Sequence, residues 1–113
     1  MSLDPNKAYH ELMQTGSDWA DKHAAFHVLD STTKSVLAMC AKEHMERGDS
    51  AAKAEIYARC DTRYTEHLTA VSAARKAELH AKVRYDSVRA LVELRRTEAA
   101  TLRSEMQLAG TQR

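Results

Sequence analysis

From Trp19 to His44 the large apolar residues return at spacings of three, four and seven, at Trp19, Phe26, Leu29, Val36, Leu37 and Cys40. That period gathers them on one helix face and predicts an amphipathic helix over about residues 18–47. Ahead of it, Asp4 offers a capping carboxylate, and the fixed φ and missing N–H of Pro5 suit a first helical position. They predict a short helix over about 5–14, ending near Gly16, Ser17 and Asp18, unless the helix continues through Gly16 at about 1 kcal/mol relative to alanine. Arg47 followed by Gly48 marks a helix end, and Asp49 with Ser50 marks a new start.

Between Asp49 and Ala109 there is no glycine or proline. A third helix is expected over about 50–108, with Asp61 and Thr62 as the one place where it has the means to restart. With Tyr57 at heptad position a, thirteen of the fifteen a and d positions are uncharged, the exceptions being Glu78 and Arg95. Tyr64, Val71, Tyr85, Val88, Val92 and Leu102 form the seam expected to hold copies of the chain together. Leu68, Leu79, Leu91 and Leu94 fall outside it and widen the apolar surface. The fold class is all-α: a long helical hairpin, coiled-coil-like, that oligomerises through the long C-terminal helix.

Composition agrees, since Gly and Pro are scarce and charged residues make up 29% of the chain. One helical domain spanning 1–113 is expected, with a modest core, because alanine buries little area. The net charge of +1 conceals a sequence dipole, about −3 over residues 1–50 and +4 over residues 51–113. Arg75, Lys82, Arg89, Arg96 and Arg103 recur every seven residues at position e. Such a ladder is either a track for phosphates, binding without sequence preference and weakening with salt, or the solvated flank of a coiled coil.

Other chemistry finds little footing. His23 and His27 have the i, i+4 spacing of helical zinc sites, but nothing at a recognisable spacing completes four ligands. Cys40 and Cys60 read as reduced thiols. There is no nucleophile elbow or phosphate loop, so no enzyme, cofactor or metal is expected. The first residues lack a secretory pattern and no apolar run approaches membrane length, which suggests a cytoplasmic protein with no membrane partner.

The segment IYARCDTRYTEHLTAVSAARKAELHAKVRYDSVRALVELRRTEAATLRSEM, Ile56 to Met106, resembles the UvsY-like recombination mediators and related small helical proteins of phages and prophages. The resemblance implies a homo-oligomer in the bacterial host cytoplasm. It would bind single-stranded DNA through Arg and Lys of the long helix and help a recombinase act on strands coated by single-strand-binding protein. The acidic first half departs from the mediators, leaving only the second half for such a surface. A helical interaction scaffold with no nucleic-acid role is the other reading.

Overall fold

The computed structural model describes residues 4–111, and these are helical except at short junctions, with no strand among them. The helices are α1 (Pro5–Ser31), α2 (Thr33–Glu46), α3 (Ala51–Arg59) and α4 (Thr62–Thr111). The chain divides into two compact units, one made of Met1–Trp19 and Ala81–Arg113, the other of Ala20–His80. In each, the first half of the chain runs antiparallel to α4, as in a helical hairpin.

The start of α1 is the one anticipated: the Asn6 N–H donates to Asp4 Oδ1 at 3.1 Å, and the Ala8 N–H to the Asp4 carbonyl at 2.9 Å. Its end is not. Instead of a helix over 5–14 and another over 18–47, α1 runs through Gly16 and breaks at Thr32. A Cβ on Gly16 would stand 3.2 Å from Tyr85 Cε2, so the glycine makes room for a ring and does not end the helix. At the break three consecutive hydroxyls turn back on the last turn. Ser31 donates to the Val28 carbonyl at 3.0 Å, and Thr32 and Thr33 to the Leu29 carbonyl at 2.9 and 3.3 Å. Hydroxyls bonded in this way bend helices by competing for backbone acceptors.

The α2–α3 turn follows from its residues. Gly48 takes a φ of +105°, its N–H donates to the Met45 carbonyl at 3.0 Å, and the Asp49 N–H donates to the His44 carbonyl at 3.2 Å. These are the two bonds of a Schellman ending. Ser50 then caps α3, accepting from the Lys53 N–H at 3.4 Å.

The single helix expected over 50–108 is two helices. Three-residue bonds from Cys60 and Asp61 N–H to the Tyr57 and Ala58 carbonyls close α3, and Asp61 opens α4 by accepting from the Arg63 N–H at 2.9 Å. Cys40, Ala54 and Ala58 are fully buried where α2 lies on α3. On α4 the buried residues are Glu78, Ala81 and Val92, all at a or d positions.

Candidate nucleic-acid interface

The a/d seam of α4 is used first inside the chain. Tyr64, Val71, Tyr85 and Val88 are half-buried and Val92 is buried, whereas Leu102 is exposed. Tyr85 stacks on Trp19 with ring centroids 5.5 Å apart, so this tyrosine packs a helix–helix contact and is not presented for base stacking. His67 donates from Nε2 to the Leu29 carbonyl at 2.9 Å and lies 3.2 Å from the Thr33 hydroxyl.

Glu78 is the charged a position that loosens an apolar seam on paper, yet it is 4% exposed and well held. His23 Nδ1 and Arg75 Nη1 each donate to one of its carboxylate oxygens at 2.7 Å. The His23 bond, reinforced by Arg75, keeps the carboxyl below the ordinary range against the opposing effect of burial. Arg95, the other exception, lies 3.9 Å from Glu98 and its side chain is partly exposed.

The acidic first half neutralises cations of α4 that lie off the ladder. Arg63 reaches Glu43 at 2.6 Å, as well as Asp61 of its own half at 3.0 Å, and Arg84 reaches Asp18 at 3.4 Å. Hydrogen bonds from Arg63 hold both Asp61 and Glu43 below their usual range, and the same bonds push the guanidinium further up. His44 stands 3.6 Å from Asp61 and 3.7 Å from Asp49. Both Arg63 and Arg84 occupy position g.

The ladder itself stays on the surface: Arg75, Lys82, Arg89, Arg96 and Arg103 are all exposed. Arg75 is committed to Glu78 and lies 5.1 Å over the Phe26 ring. Lys82 Nζ is 5.9 Å from the Trp19 ring. Among the described residues, no ion pair joins Lys82, Arg89, Arg96 or Arg103 to a carboxylate. Within the unit that holds them, Lys82 to Arg103 cover roughly 32 Å along the helix axis, drifting by about 20° per heptad around an ideal helix. They present positive charge in a shallow spiral. The periodicity places these cations together on α4; the aromatic rings beside two of them come from α1, and no local pattern announces them.

Cys40 is buried and Cys60 exposed, and burial first, then the nearby Asp61, pushes the Cys40 thiol up. His23 and His27 stack edge to face at 4.3 Å, and among the described residues no group of three or more His, Cys, Asp and Glu is arranged to hold a metal. No helix among the described residues is long and apolar enough to cross a membrane. Compared with known protein families, curated proteins and solved structures, the chain matches none.

Proposed function

We propose that this chain is a non-enzymatic helical protein that binds single-stranded DNA along the ladder side of α4. What carries the reading is one contrast. The first half's acids engage Arg63 and Arg84, while Lys82, Arg89, Arg96 and Arg103 stay exposed and without an ion pair among the described residues. Unneutralised cations repeated along a rigid helix attract a flexible polyanion without reading its bases. Arg75, tied to Glu78, contributes less to the track and more to the fold. The resemblance to recombination mediators adds the context: homologous recombination or strand annealing, with a recombinase or a single-strand-binding protein as partner.

The test is fluorescence anisotropy of a labelled single-stranded oligonucleotide titrated with protein across a salt series. Four phosphate contacts correspond to a slope of about −3 in log affinity against log salt for single strands. Replacing Lys82, Arg89, Arg96 and Arg103 together by Gln is expected to remove binding with helical content kept. Absence of binding in low-salt buffer, or an unchanged slope in the fourfold variant, refutes the proposal.

A further inference from the structure

The last turns of α4 are exposed to solvent. At the start of α1, Pro5 and Tyr9 line a groove with Leu91, Val92 and Ala99, and every residue from 93 to 110 is exposed. The seam nevertheless continues through this stretch as Ala99, Leu102, Met106 and Ala109. Leu102 and Met106 are 57% and 66% exposed. Burying the apolar area of side chains such as these against a partner removes it from water, so the stretch gains by packing on something.

The flanking charges say on what. Position e carries Arg96 and Arg103, and position g carries Glu98 and Glu105. In two parallel, unstaggered helices, each g residue faces the e residue five positions further along the other strand. Glu98 of each copy then meets Arg103 of the other, and Leu102 and Met106 meet their own counterparts in the seam. Antiparallel pairing sets e against e and g against g, and the register that opposes Glu98 to Glu105 also opposes Arg96 to Arg103. We infer that the segment from Glu98 to Ala109 is a self-association surface whose occupant is the same segment of a second copy, in parallel and without offset. Arg95, at a d position, lines the groove at the start of α1, before the pairing begins. Leu94 and Leu108 lie at c, outside the contact.

This surface is independent of the DNA reading except at Arg103, which the pairing takes out of the track, leaving Lys82, Arg89 and Arg96 on each chain. The two ideas fail separately, since one is measured by mass without DNA and the other by anisotropy.

The experiment is sedimentation velocity on the full-length chain in low salt, with Glu98→Arg, Arg103→Glu, the double variant, and an equimolar mixture of the two single variants. Circular dichroism of each variant separates lost association from lost folding. The wild type is expected to self-associate. Each single change turns both symmetry-related attractions into like-charge repulsions of similar size and is expected to weaken association by roughly four- to thirtyfold. The double variant and the mixture both recover it, because each recreates opposite charges across the pair. A wild type that stays monomeric at 100 μM (roughly the range of weak association) overturns the inference. So does a Glu98→Arg variant that associates more tightly, which is the antiparallel outcome, or a mixture no stronger than its components.

Discussion

Replacing Gly16 by Ala tests the close approach of α1 to Tyr85 of α4. In a helix interior alanine is favoured over glycine by about 1 kcal/mol, so a solvent-facing Gly16 would give that gain in full. Here the new Cβ would lie 3.2 Å from Tyr85 Cε2 and 3.4 Å from Cδ2, whereas carbon atoms settle at about 3.5–4.0 Å. The ring must retreat by a few tenths of an ångström, and its other neighbour is the Trp19 ring, stacked at 5.5 Å and 24°. Overpacking of this kind costs typically 1–3 kcal/mol, which exceeds the propensity gain. Gly16→Ala is therefore expected to be neutral to about 2 kcal/mol destabilising. In a Tyr85→Ala background the obstruction is gone and the same change is expected to stabilise by about 1 kcal/mol. Urea denaturation followed by far-UV circular dichroism on the four proteins of this cycle measures the coupling, expected at about 1–3 kcal/mol. If Gly16→Ala stabilises both backgrounds equally, to within about 0.3 kcal/mol, the ring does not lie over Gly16 and the reasoning is refuted.

Three further outcomes are expected. The folded-state pKa values of Glu43, Asp61 and Glu78 are depressed, so their stabilisation is complete above the unfolded carboxylate values of about 4 and is lost as pH falls through the folded values. The thermal midpoint should be insensitive to these groups from pH 7 to 5 and drop below about pH 4, and a Glu78→Gln variant should lose less of its stability on acidification. Gly48→Ala puts a Cβ on a residue at φ +105° and should cost about 1–2 kcal/mol by thermal melting; a neutral result contradicts the Schellman ending. Iodoacetamide applied to the native protein should modify Cys60 and spare Cys40 until denaturant is added, as peptide mapping would show.

The parts of the fold legible in the sequence are those decided by neighbours in the chain. Asp4 with Pro5, and Arg47 through Ser50, each carry their own donors, acceptors and φ preferences, and both junctions form where those residues stand. The remaining junctions were decided either far along the chain or by a local competition that residue type alone does not rank. Gly16 looks like a terminator until Tyr85, far along the chain, is seen to fill the space beside it. Ser31, Thr32 and Thr33 are ordinary helix-surface residues singly, and break the helix because three hydroxyls draw on one turn's carbonyls. Asp61 is an adequate cap in any context and becomes a decisive one through its bonds to Arg63. The ladder was legible as a row of exposed cations because heptad spacing is a local property. Which basic residues are neutralised was not, because Asp18 and Arg84 lie 66 residues apart.

The buried carboxylate of Glu78 also bears on how the chain avoids misalignment. A heptad seam repeats, so an antiparallel partner sliding by seven residues trades one set of apolar contacts for a similar set, and little in the seam itself forbids the slip. Glu78 does. A shift of one heptad brings Gly16 or Asp30 to the place where His23 now stands, offering the carboxylate either no donor or a second negative charge. A single polar core position that only one alignment satisfies gives up some stability to fix register. Glu78 and His23 thus act as an index mark, one that lets an otherwise monotonous alanine-rich surface find a single alignment as it folds.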